Sequence, residues 1–354
     1  MNDSEINDCR KITDFKTKTF SKFLRTKVKK ELLTSLYNSK IEPSCYWSIE
    51  LICAGLYQDL WEIILLYMSR YIHLGNPKLP IYIEMRFKTF KNIVSNGYID
   101  NELALRNNEK IRKLFSEIIS IVCFSRKKHA FESLAIKDVN DYDLTNLTTK
   151  LKAQNIKFAE NIFRKSDPKE LFIAINEFAY HISKSSSDIT SSCYWLEWII
   201  QYENICKHKK IKCECERRMF APVEDKYQMD IIWIIWDALI NEAAKKSNTL
   251  YSKIMASLLN LYCIKFSPGC KKRRKYIIYF GISILTENID FNITLIENKQ
   301  VIENISNKIY IIYKEVKKNE ISPQTDYLFL GVERSNLDKT VEKLEKMNSF
   351  LNNN

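Results

Sequence analysis

Apolar residues recur at intervals of three and four along most of the chain, which is the spacing of one face of an α-helix. The segment 108–124, NEKIRKLFSEIISIVCF, shows this most clearly. Its apolar stripe consists of Ile111, Leu114, Phe115, Ile118, Ile121 and Val122. Asn108 precedes the stripe, where an Asn side chain can cap the first turn. The pattern predicts an amphipathic helix that begins after Asn108.

A second well-marked helix start lies in DPKELFIAINEFAYHI, residues 167–182. Asp167 is a good N-cap residue, Pro168 suits the first helical position, and Glu170 completes a capping box. The segment IIWIIW, 231–236, is apolar around the whole helical wheel, so it predicts a helix enclosed by others. The same periodicity predicts helices at about 17–38, 46–72, 79–95, 145–164, 190–210, 250–265, 271–287, 297–318 and 336–351.

Strand signals are few. Only IDFNITLI at 289–296 and DYLFLGV at 326–332 are short segments rich in β-branched or aromatic residues. The six glycines and seven prolines are too few for the many tight turns of an all-β protein. The chain therefore predicts a mainly α fold, with at most one small hairpin late in the sequence.

Apolar periodicity lapses around 137–148, where acidic and polar residues cluster. This break divides the chain into an N-terminal helical half, 1–145, and a C-terminal helical half, 146–335, which carries a basic, Cys-rich segment. Because the break is too short to be a free linker, the two halves are expected to pack together. Residues 336–354 predict an amphipathic tail helix that docks on a partner or on the chain itself.

The tetrapeptide SCYW occurs at Ser44–Trp47 and again at Ser192–Trp195, 148 positions later. Each copy opens an apolar helical run, so each serine is a predicted N-cap. An acidic, aromatic run follows each copy, at 58–68 and 229–239. These features indicate a diverged helical repeat; the alternative is a coincidence between two aromatic helix starts.

The 354-residue chain carries a formal net charge of +12 and a pI near 9.0. This excess suggests a polyanionic partner, either nucleic acid or an anionic membrane surface. No apolar run is much longer than ten residues and the N-terminus is polar, so neither a signal peptide nor a transmembrane segment is expected. Ten cysteines without an export signal are expected to be reduced thiols.

Two basic stretches concentrate the charge: CKHKKIKCECERR at 206–218 and CKKRRK at 270–275. Cations packed so closely repel one another unless they meet a polyanion, which releases its counterions on binding. The alternatives are a solvated loop and a localisation address. The predicted nucleic-acid-binding residues are Lys207, Lys209, Lys210, Lys212, Arg217, Arg218, Lys271, Lys272, Arg273, Arg274 and Lys275.

The first stretch also contains Cys206, His208, Cys213 and Cys215 within ten residues. Thiolate and imidazole ligands at short range are what tetrahedral zinc requires. The C-x-H-x4-C-x-C spacing matches no common zinc module, however, and free cysteines are often ordinary buried residues. A structural zinc ion is one interpretation, and no other cofactor is expected.

Motifs for phosphate-binding loops, nucleophile elbows and zinc proteases are missing from the sequence. Asp230 and Asp237 are seven residues apart and share a helix face, the minimum geometry for a paired-carboxylate metal site. The alternative is that they complement the helix dipole or pair with nearby cations. The sequence therefore predicts a non-enzymatic protein.

Residues 48–94, with 167–183 and 226–239, resemble an uncharacterised conserved protein family of nucleocytoplasmic large DNA viruses, in the algal and giant-virus branches. The resemblance implies a viral protein in the host cytoplasm, at the viral factory or in the virion, with other viral proteins as partners. Joined to the basic clusters, it predicts a nucleic-acid-associated accessory factor of viral replication, transcription or packaging. The alternative is a minor capsid or internal virion structural protein.

Overall fold

The computed structural model describes residues 4–99, 101–134, 136 and 148–322. Twelve α-helices lie in these ranges, and the prediction of a mainly α fold is confirmed. The described ranges contain no β-strand beyond one isolated bridge, between Lys18 and Leu24. The helices are α1 Arg25–Tyr37, α2 Ile41–Cys53, α3 Tyr57–Tyr67, α4 Leu79–Ser95, α5 Glu109–Phe124, α6 Phe172–Ile182, α7 Ile189–His208, α8 Ile232–Ala244, α9 Leu250–Tyr262, α10 Cys270–Arg273, α11 Lys275–Thr286 and α12 Lys299–Lys317.

Several helix boundaries differ from the prediction. The helix predicted at 46–72 breaks between α2 and α3, where Gly55 adopts a φ of +71° that other residues rarely tolerate. The helix predicted at 145–164 is wrong over residues 149–164, which form turns and irregular structure. Residues 289–296 contain no strand. The second half of the predicted hairpin and the tail at 336–354 lie outside the described residues.

Polar side chains of α6 explain why residues 149–164 fold as an irregular segment. The Glu177 carboxylate accepts hydrogen bonds from the backbone N–H groups of Lys152 and Ala153, each at 3.0 Å. The Asn176 side chain accepts another from the N–H of Ala159 at 3.2 Å. These bonds replace the intrahelical partners that a helix would have supplied.

Helix capping was predicted correctly at one position and wrongly at others. Asn108 accepts hydrogen bonds from the N–H groups of the next turn, as predicted. Asp167 does not cap: a short 3₁₀ turn precedes α6, and the carboxylate binds Arg218 instead. Ser44 and Ser192 lie one turn inside α2 and α7, where each hydroxyl donates to the carbonyl four residues earlier, at 2.7 Å. The two SCYW copies thus occupy equivalent helix positions.

The two halves share a packing pattern. In the first half, α1 packs on α2 and α3, and α5 contacts all four preceding helices. In the second half, α6 packs on α7 and α8, and α11 contacts α6 to α9 in the same way. If α6 to α9 are matched to α1 to α4, each half has one helix pair that the other lacks. This pair is α2 with α3 in the first half and α8 with α9 in the second. The shared pattern supports the predicted helical repeat.

One hydrophobic core runs through both halves. The predicted enclosed helix is confirmed, because residues 231–236 at the start of α8 are at most 1% exposed. Contacts between α4 and α9, and between α11 and the π-helical turn Met68–Ile72, join the halves. The last described helix, α12, returns to pack on α5 and α2 of the first half.

Gly75 lies against the backbone of residues 125–129, SRKKH. A Cβ added to Gly75 would sit 2.1 Å from the carbonyl oxygen of Arg126, which is backbone and cannot rotate away. We expect Gly75→Ala to destabilise the protein by about 1–3 kcal/mol, the usual cost of overpacking. Chemical denaturation measures the loss. Gly269→Ala is the control, since its Cβ would meet only the mobile end of the Arg273 side chain at 3.1 Å; equal losses would contradict the prediction.

Candidate nucleic-acid interface

The two predicted basic stretches do come together in space. Lys207, at the end of α7, and Lys271, in α10, both bind the carboxylate of Glu203, with Nζ–O distances of 2.7 and 2.5 Å. Their meeting point is therefore an acidic residue between them. The two stretches therefore meet, but their meeting does not by itself create a positive surface.

Arg218 lies in the interior of the second half and is 0% exposed. Its guanidinium donates to Asp167 at 2.6 Å and to Asp237 at 3.1 Å. It also donates to the carbonyl of Ile162 at 3.0 Å. With these partners Arg218 joins the irregular segment 148–167 to α8, and it is not accessible to a phosphate.

Lys271 is also buried, with 3% exposure. Its ammonium group lies between Glu203 and Asp230, 2.5 and 2.6 Å from their oxygens. Burial raises the pKa of Asp230 above its usual value, and Lys271 opposes that rise. Asp230 thus pairs with Lys271, and Asp237 pairs with Arg218. This agrees with the alternative given above, in which the two carboxylates pair with nearby cations and do not form a metal site.

Arg274 and Lys275 complete a set of inward-directed cations. Arg274 is 3% exposed and pairs with Glu62 of α3 at 2.7 Å. It also donates to the carbonyl of Tyr262, the last residue of α9, at 2.7 Å and to that of Ile264 at 2.5 Å. Lys275 pairs with Glu197 at 2.8 Å and donates to Ser133 at 2.6 Å. These contacts tie α10 and α11 to α3 and α7, which makes the CKKRRK stretch largely structural.

The remaining predicted residues lie on the surface. Lys212 pairs with Glu214 and Arg217 with Asp225, in exposed ion pairs that are each worth less than about 1 kcal/mol. Arg273 is half exposed, 3.9 Å from Glu62. Within the described residues, no ion pair is formed by Lys209, Lys210 or Lys272.

Charge pairing lowers the net charge of this surface. The eleven predicted cations have eight carboxylate partners: Glu62, Asp167, Glu197, Glu203, Glu214, Asp225, Asp230 and Asp237. Burial of the three strongest pairs removes Arg218, Lys271 and Arg274 from any outside ligand. Arg218, Lys271 and Arg274 are therefore not accessible to a phosphate, whereas Lys209, Lys210 and Lys272 are exposed and form no ion pair within the described residues.

The four predicted zinc ligands are not gathered around one point. Cys215 donates its thiol to the carbonyl of Asp230 at 3.2 Å, and His208 is exposed at the end of α7. Burial raises the pKa of the Cys213 thiol to about 12 and that of Cys215 to about 12, so both side chains are thiols rather than thiolates at neutral pH. Across the ranges that the structure describes, no group of three or more potential ligands could hold a metal ion.

A stronger basic surface lies in the N-terminal basic segment, residues 16–30, which the sequence analysis overlooked. Its sequence, KTKTFSKFLRTKVKK, contains seven cations and no acidic residue. All seven are exposed or half-buried: Lys16, Lys18, Lys22, Arg25, Lys27, Lys29 and Lys30. The only carboxylate in an ion pair with any of them, among the described residues, is Asp59, which binds Arg25 and Lys29. A count of charges in a sliding window would have found this segment.

The first part of the N-terminal basic segment is a rigid turn. Phe20 is fully buried and anchors it, and Arg10 donates to the Phe20 carbonyl at 2.7 Å. The backbone N–H and the hydroxyl of Ser21 bind the buried carboxylate of Glu50. Lys22 takes a positive φ of 65° at the tip of the turn. The fold thus holds the lysines of the turn at the surface in a fixed arrangement.

A cleft of about 670 Å³ opens beside the N-terminal basic segment. We call it the inter-half cleft, because α3 and α4 of the first half form one wall, and the end of α9 with the loop after it forms the other. Aromatic side chains of Trp61, Phe87 and Phe90 contribute to the first wall. Arg25 lines the cleft and belongs to the basic segment, so the two features are continuous.

Comparison with protein-family models, with curated proteins and with solved structures gives no match to this chain. Among the helices of the described residues, none is both long and apolar enough to span a membrane.

Proposed function

We propose that this protein binds the phosphate backbone of nucleic acid through the N-terminal basic segment, and that it is a non-catalytic accessory factor of viral replication, transcription or packaging. One observation carries the proposal: seven surface cations lie within fifteen residues, and among the described residues only two of them, Arg25 and Lys29, pair with a carboxylate, that of Asp59. The two stretches that the sequence analysis favoured have most of their charge paired internally. The viral setting rests on the sequence resemblance and stays a prediction.

The position of these cations is unfavourable for folding alone. Arg25 and Lys27 lie in the first turn of α1, where the helix dipole is positive and acidic residues are preferred. Lys27 and Lys30 are three residues apart, so like charges face each other on the helix at a cost of about 0.2–0.5 kcal/mol. Arg25 and Lys29, four residues apart, are instead bridged by Asp59. A bound polyanion would remove this repulsion.

The mechanism is charge neutralisation. A chain of phosphates that meets several lysines releases its condensed counterions, and the affinity then falls steeply with salt. Such contacts position a nucleic acid without reading its sequence. The rigid turn at 17–25 and the start of α1 would give a fixed spacing between contacts.

The test compares two variants with the same change in net charge. The first variant changes four lysines to Glu: Lys16, Lys18, Lys27 and Lys30. We expect it to bind single-stranded and duplex oligonucleotides at least tenfold more weakly than wild type at low salt. The slope of log K against log salt should fall by about 3 to 4, because about four phosphate contacts are lost. Fluorescence anisotropy across a salt titration measures both.

The control changes Lys209, Lys210, Lys212 and Lys272 to Glu, on the surface that the sequence analysis favoured. It should retain affinity within about threefold. An equal loss in both variants would show a general effect of net charge and would refute the assignment to residues 16–30. Binding to phosphatidylserine vesicles in place of oligonucleotides would identify an anionic membrane surface as the partner instead.

A further inference from the structure

The inter-half cleft has the size and chemistry of a ligand site. Its volume of about 670 Å³ falls within the range of about 300–1,000 Å³ that is typical of small-ligand pockets. Such pockets are mostly apolar with a few polar groups that orient the ligand. Here the apolar part includes four aromatic side chains, and the polar part contains both cations and carboxylates.

The aromatic wall is a connected set of rings. Trp61 meets Phe87 edge-on at 5.0 Å and Phe90 at 5.7 Å between ring centroids. Phe90 also lies 5.5 Å from Tyr57, which fixes its position from the other side. Trp61 and Tyr57 are buried behind, whereas Phe87 and Phe90 are only half-buried and expose part of their rings. An occupant would therefore meet two immobilised aromatic rings.

The cations of the cleft fall into two groups. Arg25 pairs with Asp59, and Lys88 pairs with Glu84 at 2.6 Å. Lys91 and Lys265 are exposed, and neither forms an ion pair with any described residue. Each therefore offers a full charge to an anionic group at the mouth of the cleft.

The acceptors of the cleft argue against a simple apolar anion such as a fatty acid. Asp59, Glu84 and Glu102 all line it, and a carboxylate accepts hydrogen bonds but repels a second carboxylate. Hydrogen bonds from Arg25 and Lys29 outweigh burial and hold the pKa of Asp59 below its usual value, so it stays ionised. A ligand that suits this wall carries a flat aromatic surface, N–H donors and a separate anionic group.

We infer that the inter-half cleft binds an unpaired nucleobase, stacked on Phe87 and Phe90, with its phosphate held by Lys91 and Lys265. Exocyclic amino groups of the base would donate to Asp59 or Glu102. The inference rests on the proposed function, because Arg25 connects the cleft to the N-terminal basic segment, along which the neighbouring phosphates would lie. The protein would then prefer single strands, whose bases are free to leave the stack.

The experiment separates base stacking from phosphate contact. Anisotropy is measured with a labelled 12-nucleotide single strand of mixed sequence, and with an abasic strand of the same length and charge. We expect the natural strand to bind at least fivefold more tightly than the abasic one. Phe87→Leu and Phe90→Leu, which keep apolar volume but remove the ring, should bring the ratio close to one without changing affinity for the abasic strand.

Phe158→Leu is the matched control, because Phe158 is half-buried but lies outside the cleft, where it packs on Tyr180 at 5.1 Å. It should leave the ratio unchanged, and thermal unfolding should show that all three variants remain folded. Lys91→Glu with Lys265→Glu should weaken binding of the natural strand at least threefold. If a mixture of mononucleotides displaces the labelled strand, the natural ligand of the cleft is a free nucleotide. If it does not, the ligand is a base within a nucleic-acid strand.

Equal affinity for natural and abasic strands would overturn the inference and leave the proposed function standing. The inference would also be overturned if Phe158→Leu lowered the ratio of natural-strand to abasic-strand affinity as much as the cleft variants do. The effect would then come from a change in the fold and not from the cleft. Loss of all oligonucleotide binding in the wild-type protein would refute the proposed function itself.

Discussion

Replacing Arg218 by Ala is expected to destabilise the protein by about 3–5 kcal/mol, the cost of leaving a buried charge without its partner. Asp167 is 3% exposed and receives two hydrogen bonds from the Arg218 guanidinium. Asp237 would lose a third. Because natural domains are stable by only about 5–15 kcal/mol, such a loss is a large share of the total.

The measurement is the free energy of unfolding from denaturant titration. The neighbouring residue supplies the control, since Arg217 is half exposed and pairs with Asp225 on the surface. We expect Arg217→Ala to cost less than about 1 kcal/mol. Adding Asp167→Asn to Arg218→Ala should recover part of the stability, because it removes the charge that was left unpaired. Similar losses in the two single variants would refute the buried role of Arg218.

Replacing Lys271 by Met is expected to have a comparable effect, about 3–5 kcal/mol. Its ammonium group is the shared partner of two buried carboxylates, Glu203 and Asp230, which would face each other without a cation between them. Lys207 also binds Glu203, but from the exposed side, and compensates only in part. Lys272→Met, one residue along on the surface, should change stability by less than about 0.5 kcal/mol.

The loss in Lys271→Met should depend on pH. Burial raises the pKa of Asp230 in the folded protein, so the folded state binds a proton more readily than the unfolded state does. Stability from such a group is present at low pH and is lost as the pH rises. Without Lys271 the pKa of Asp230 in the folded protein rises further, so protonation at low pH relieves more of the cost of burying it. The difference in free energy of unfolding between wild type and Lys271→Met should therefore become smaller from pH 7 to pH 4. A gap that widens toward acid would contradict this account.

These expectations change the meaning of the basic stretches. If residues 270–275, CKKRRK, formed a surface loop, neutralising their charges would change binding without changing the stability of the fold. In this fold, Lys271 and Arg274 are buried between helices, so their loss would destabilise the protein and lower every activity together. The basic residues to test for binding are those whose removal leaves the fold intact, and they lie mainly in residues 16–30.

Local patterns predicted the helices well, because a helix needs only the apolar stripe and the capping residues within its own few turns. The stripe at 108–124 and the Asn108 cap are both present. The capping prediction at Asp167 was wrong because a buried arginine 51 residues away offered its carboxylate a stronger partner. The same local signal can thus serve either a cap or a buried ion pair.

The sequence by itself determined that this protein is mainly helical, that one helix is enclosed, and that the chain carries a large positive charge. The tertiary structure decided which cations are available to a partner. Arg217 and Arg218 are adjacent in sequence, yet one is at the surface and the other is 0% exposed. Arg274 finds its carboxylate 212 residues away. Helices follow from contacts a few residues apart, whereas the pairing of a charge depends on which distant carboxylate the packing brings beside it.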